Sequence, residues 1–125
     1  MVNLKTTEIK AFVPAKDFEL SKRFYEDLGF SKASDADGIA YFHVETCSFL
    51  LQDFYEPDHC QNFMMHLLVE DARSWHQLVI TSGVVEKYQV TVSEVVEQPW
   101  GMLDFVLFDP SGVLWRIGQN VNMVQ

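Results

Sequence analysis

Asp17-Phe18-Glu19-Leu20-Ser21-Lys22-Arg23-Phe24-Tyr25-Glu26-Asp27-Leu28-Gly29 reads as one helix with both of its ends specified. The Asp17 carboxylate can accept from the unpaired N–H groups of a first turn. Leu20, Phe24 and Leu28 recur at the spacing of one helical face, and Gly29 stands where a left-handed residue ends such a helix. The pattern then returns as Asp71 to Gly83, with Trp75, Leu78 and Val79 as its inner stripe. In both copies the Gly stands 12 positions after the Asp. Such self-similarity is the first signal to weigh in a chain, because it sets the architecture before any local detail.

Each helix is preceded by a short apolar stretch, Ile9 to Val13 and Phe63 to Val69, and each Gly is followed by an apolar residue, Phe30 or Val84, that can begin a return strand. After the first helix come strand candidates at Phe30 to Ala33, Ile39 to Val44 and Ser48 to Phe54, with Asp35-Ala36-Asp37-Gly38 as a turn. After the second come Tyr88 to Val96, Met102 to Phe108 and Val113 to Ile117. The expected fold class is therefore α+β, two tandem βαβββ modules at about 5–56 and 61–120 within a single domain of residues 1–125. Neither module buries enough apolar area alone, so the two must pair. Strongly twisted sheets curl, and two of them side by side leave a concave, mostly apolar surface, the ordinary place for a ligand.

Composition narrows the functions. The 125 residues are 48% hydrophobic and carry 18 acidic against 9 basic side chains, a formal charge of −9. A phosphate backbone needs concentrated Lys and Arg, so nucleic acid is not the expected partner. Cys47 and Cys60 are too few for a disulfide framework. Met1 to Lys10 lacks the apolar core of a signal peptide, and no apolar run reaches the roughly 20 residues of a membrane span. A cytoplasmic protein without membrane contact is the expectation.

Two motifs lie in the last third. Glu97-Gln98-Pro99-Trp100-Gly101 places a large aromatic between two backbone breakers, where it serves either as a core plug or as a stacking wall. Asp109-Pro110-Ser111-Gly112 reads as a type I turn, with Asp opening it, Pro second and Gly closing it.

Taken with Pro14-Ala15-Lys16-Asp17-Phe18 and Phe24-Tyr25-Glu26-Asp27-Leu28-Gly29-Phe30, these motifs resemble the glyoxalase, bleomycin-resistance and extradiol-dioxygenase superfamily over nearly the whole chain. Glu-Gln-Pro-Trp-Gly and the tail Leu114-Trp115-Arg116-Ile117-Gly118-Gln119-Asn120 are similar to its bleomycin-resistance branch. The resemblance implies paired βαβββ modules, each a curved mixed-sheet half-barrel. It also implies a homodimer with ligand grooves between subunits, and Trp100 as a stacking surface.

Enzymes of that superfamily hold a divalent metal with His, Glu or Gln on the first and last strands of each module, since each ligand must offer a lone pair. Here the matching positions fall on Lys10, Met64 and Arg116, with the fourth near Leu50 and only Gln52 close by. Three of the four are unsuited to a catalytic cation, so no metal, cofactor or catalytic residue is expected. Lys10 and Arg116, if both face the cavity, suit an acidic ligand.

The remaining candidates are ligand-binding. His66 lies two residues beyond Met64 on the same strand face, as either a cavity residue or a buried His with a backbone partner. His43 alternates with Tyr41 and Ile39. Asp37 replaces the aromatic that the resemblance would place at that turn, so it can attract positive charge but cannot stack. Of Phe42, Phe49, Phe54, Phe105 and Trp115, alternation sends about half inward. His59, in an expected loop Pro57-Asp58-His59-Cys60, lacks a distant partner pair, His76 reads as surface, and Cys47 reads as packed. Neither a Gly-x-Ser-x-Gly elbow nor a phosphate loop occurs. The sequence thus points to a metal-independent small-molecule binding protein using Trp100, His66, Met64, Arg116, His43 and Asp37. The rival is a metal-dependent lyase, isomerase or dioxygenase with displaced ligands.

Overall fold

The computed structural model describes residues 2–121. Its first half runs β1 (Phe12–Pro14), α1 (Phe18–Leu28), β2 (Ser31–Ala36), β3 (Ile39–Val44) and β4 (Cys47–Gln52). A short helix α2 (Pro57–Gln61) leads into β5 (Met64–Leu68), α3 (Ala72–Ser82), α4 (Val84–Tyr88), β6 (Val96–Gln98), β7 (Met102–Phe108) and β8 (Leu114–Asn120). The strands form two four-stranded sheets of matching order, β1-β4-β3-β2 and β5-β8-β7-β6. In each the first strand runs parallel to its neighbour and the other pairs are antiparallel, so both sheets are mixed.

The two long helices begin and end where the sequence places them. Asp17 accepts from the Leu20 N–H and Asp71 from the Ser74 N–H, each at 3.1 Å. Gly29 and Gly83 leave the helices at φ of 116° and 80°, values costly for any side chain-bearing residue.

Two elements differ from expectation. Beyond Gly83 the chain does not return as a strand. It forms α4, leaves it at Gln89 with φ 55°, and reaches β7 only through an isolated bridge from Val92 to Leu107 before the three-residue β6. The reason is packing. Val84 is fully buried, Tyr88 sets its ring edge-on to Phe24 at 5.4 Å, and Lys87 and Tyr88 both donate to Asp27 on α1. Burial against α1 overrides the β preference of Val84 and Val85. The stretch Pro57 to Cys60, expected as loop, is a single helical turn, capped by Glu56 and anchored by the buried Cys60.

One core serves both halves. Ala40, Phe42, Phe49 and Leu51 of the first sheet and Phe105, Leu107, Trp115 and Ile117 of the second all point toward the helices and are buried. At the centre, the fully buried Tyr25 ring lies within 6.0 Å of Phe24, Phe30, Phe42, Phe49 and Trp115. The Asp109–Gly112 turn of the second half docks onto the first, where Ser111 Oγ accepts from the Lys16 N–H at 2.8 Å. Among the described residues, alternation leaves the opposite face of each sheet without a helix on it. No helix among the described residues is long and apolar enough to cross a membrane.

Candidate functional site

The open face of the second sheet carries four of the six expected binding residues. Because Leu67 is drawn into the core, period-two alternation sends Met64, His66 and Leu68 outward along β5, and all three are exposed. Arg116 stands directly across from His66 on β8. Its Nη1 donates to Asp104 Oδ2 at 2.9 Å, while Gln98 Nε2 donates to the other carboxylate oxygen at 2.9 Å. Asp104 is only 2% exposed, so a buried carboxylate meets the guanidinium from below. Met102 crosses this floor, with its sulfur 3.4 Å from His66 Nε2. A side chain at Gly118 would meet that sulfur at 2.9 Å and Asp104 Cβ at 3.2 Å, so Met102 would have to shift to admit one.

Trp100 is not a core plug. It projects from the turn joining β6 to β7, 66% exposed, with Gly101 at φ 82° completing the bend. His66 is likewise not a buried histidine on a backbone partner. The expectation that about half of the five strand aromatics line the site is also corrected: Phe42, Phe49, Phe105 and Trp115 all face the core, and Phe54 lies exposed beyond β4.

The open face of the first sheet holds Tyr41 and His43, whose rings are 6.3 Å apart, with Ser48 beside them. Here Glu8 gathers three donors. Lys10 Nζ reaches one carboxylate oxygen at 2.8 Å, Tyr41 OH reaches the other at 2.7 Å, and Ser48 Oγ shares that second oxygen. These donors, Lys10 foremost, hold the Glu8 carboxyl down to about 2. A depression of about 470 Å³ opens over Tyr41, His43 and Ser48. Asp37 sits at the β2–β3 turn, exposed, with φ 57°.

The six residues therefore divide between two sheets, His43 and Asp37 on the first, Met64, His66, Arg116 and Trp100 on the second. Lys10 and Arg116 do lie on open faces, but on different sheets and each already paired with a carboxylate. That corrects the picture of two free cations sharing one cavity. A larger cleft of about 580 Å³ lies elsewhere, where the β3–β4 turn meets the end of β5 and Trp75. Sequence reading missed Asp104, Glu8, Tyr41 and Ser48. Asp104 was within reach: the Asp109–Gly112 turn pairs Val106 with Arg116, which puts Asp104 one diagonal step away.

The other candidates take minor places. His76 is half-buried, its Nε2 2.9 Å from the Ser93 carbonyl and its ring against Phe105, so it is not a surface residue. Cys47 is exposed rather than packed, and burial pushes the Cys60 thiol up to about 11, which makes it a poor metal ligand beside His59. Among the described residues no three His, Cys, Asp or Glu side chains converge as a metal site would need.

Two mixed sheets in matching order, each closed on one face by helices and open on the other, define a protein of paired βαβββ modules. The chain belongs to the Glyoxalase/Bleomycin resistance protein/Dioxygenase superfamily, whose family model matches residues 8–117. Its fold is similar to that of a bleomycin-binding protein complexed with bleomycin, at 24% identity, 92% of this chain and 99% of that one, with a TM-score of 0.80. A bleomycin resistance determinant encoded on the transposon Tn5 matches at 21% identity, 92% and 98% coverage and a TM-score of 0.75. The bleomycin-binding protein of Streptomyces verticillus, complexed with copper(II)-bleomycin, matches at 17% identity, 98% and 100% coverage and a TM-score of 0.75. No protein with a curated description matches the chain.

The metal that the family's enzymes would use does not fit the residues present. Lys10 is tied to Glu8 and Arg116 to Asp104, while Met64 and Leu50 offer a thioether and a hydrocarbon. Two cations, a soft sulfur and a hydrocarbon at those four positions are the wrong set for a hard divalent ion.

Proposed function

We propose that this chain is a metal-independent binding protein that sequesters a small molecule and performs no catalysis. In this reading two copies associate, and the open face of one first sheet closes over the open face of the partner's second sheet. His43 and Asp37 then meet Met64, His66, Arg116 and Trp100 around a shared groove, in the cytoplasm. The observation that carries this is the exposure of large apolar side chains on both open faces while the core beneath them is complete. Phe12 is 50% exposed, Met64 57%, Leu68 54% and Trp100 66%. Met64 and Leu68 share one exposed face of β5, and apolar side chains left on an open sheet face support a partner or ligand site. The donor set unsuited to a metal, and the bleomycin bound by similarly folded proteins, support the same reading.

The test is titration of purified, metal-analysed protein with metal-free bleomycin, following Trp fluorescence, together with the molar mass from light scattering. Saturable quenching near one ligand per chain in a dimer is expected. A monomer at working concentration, or turnover that depends on added divalent metal, overturns it.

A further inference from the structure

We infer that Lys10, Tyr41 and Ser48 form a carboxylate-binding subsite on the open face of the first sheet, closed in the free chain by the protein's own Glu8. Three donors from three separate stretches of chain converge on one carboxylate and engage both of its oxygens, at 2.8 Å from Lys10 and 2.7 Å from Tyr41, with Ser48 on the Tyr41 side. Charge-assisted hydrogen bonds of this kind are the strong ones, and a set of three around one group is a recognition geometry for that group.

Donors and acceptor differ in how they are held. Tyr41 and Ser48 sit on the antiparallel pair β3 and β4, two residues apart in register. Lys10 immediately precedes Ala11, whose carbonyl accepts from the Leu50 N–H at 3.0 Å, and its ammonium stands 5.3 Å from the Tyr41 ring centre. Glu8 lies in a segment that belongs to no helix or strand. Lys10 shares that segment and is held only through its neighbour Ala11, so Tyr41 and Ser48 are the fixed part and Glu8, furthest from the sheet anchor, is the part that can swing away. Replacing one carboxylate by another keeps all three hydrogen bonds, so an incoming ligand competes only with the tether that keeps Glu8 close.

The surroundings set the class of ligand. The adjoining depression, with Tyr41 and His43 in its lining, gives room for a ring next to the donors. Glu45 on its rim is exposed and like-charged, which disfavours a second negative group. The chain's net charge of −9 adds to that, so discrimination comes from the local donors and not from the overall field. The fitting ligand is a monocarboxylate with an aromatic or apolar body. This deepens the proposed function by naming a charge class, and it rests on the open face being the ligand surface, not on the ligand being bleomycin.

Benzoate is the probe, titrated calorimetrically into wild type, Glu8→Ala and Glu8→Ala combined with Tyr41→Phe. Removing the tethered competitor tightens benzoate binding about tenfold, and removing the Tyr41 hydroxyl takes that gain back. Benzamide, the neutral isostere, binds none of the three. Equal affinity of wild type and Glu8→Ala for benzoate overturns the subsite, as does benzamide binding as well as benzoate. Should Glu8→Ala lose its near-UV circular dichroism, amide shifts of Ser48 and Tyr41 in benzoate-titrated wild type decide instead, and their absence overturns the proposal. Bleomycin quenching without benzoate binding removes the subsite alone. Benzoate binding by a metal-dependent enzyme removes the sequestration reading alone.

Discussion

The Tyr25 hydroxyl on α1 donates to Asp109 Oδ2 at 2.5 Å, across 84 positions of sequence and between the two modules. Trp115 Nε1 donates in turn to the Tyr25 oxygen at 2.9 Å. All three groups are buried, and the Asp109 carboxylate also accepts from the Ser111 and Val113 N–H groups at 2.9 Å. A helix of one repeat thus holds the turn of the other through this phenol, beside the contact of Ser21 with Ser111.

Tyr25→Phe keeps the ring among its five aromatic neighbours but strips Asp109 and Trp115 of a shared partner. Leaving buried polar groups unpaired costs about 1–3 kcal/mol, read from the midpoint of urea unfolding. An unchanged midpoint would mean that the link contributes no net stability.

Asp109 also sets a pH signature. Burial, opposed by its hydrogen bonds, raises the carboxyl from 3.8 to about 6. Between those values the folded chain binds a proton that the unfolded chain does not, so this group's contribution falls as pH rises from about 4 to 6. Relative to Asp109→Asn, wild type gains stability when pH is lowered from 7 to 4.5. Paired melting curves check it, because the difference removes the other carboxylates. A difference that stays flat across that range refutes the assignment.

Arg116→Met abandons Asp104, a carboxylate that is 2% exposed with Gln98 as its remaining partner. Stranding a buried charge costs about 3 kcal/mol, and Asp104→Leu in the same background returns most of it. Chemical denaturation of the single and double variants separates this from a simple loss of packing, in which the second change would not rescue.

Trp100→Ala changes unfolding stability by less than about 0.5 kcal/mol, as for an exposed side chain away from the core. Under the proposed function the same change weakens bleomycin binding, measured by the remaining fluorescence, while the circular dichroism stays as in wild type. A variant that unfolds would show that Trp100 packs in solution.

Legibility followed the range of the interactions involved. The helix ends at Asp17, Gly29, Asp71 and Gly83 are written locally, because each cap needs only its own turn. Face assignments such as Met64 and His66 need only alternation. The helix at Val84 was hidden because its cause is the distant α1 surface, around Phe24 and Asp27, rather than anything in Val84-Val85-Glu86. The neutralisation of Arg116 was hidden for a similar reason, since Asp104 becomes its neighbour only once β7 and β8 are in register. Glu8, by contrast, stands two residues before Lys10, and its pairing is local. Trp100 was ambiguous in sequence because a tight turn can point an aromatic either way.

The four sheet edges are unequally guarded against a further strand. β2 is fully exposed but broken by a register shift between Lys32 and Ser34, β6 is three residues long and runs into Pro99, and β1 ends at Pro14, which has no N–H to donate. β5, five residues of Met64-Met65-His66-Leu67-Leu68, carries none of these guards. Among the described strands it is the one ready to template edge-to-edge aggregation in a concentrated or heated sample, and a single lysine placed there, Met64→Lys, is the gatekeeper that would keep such a sample clear.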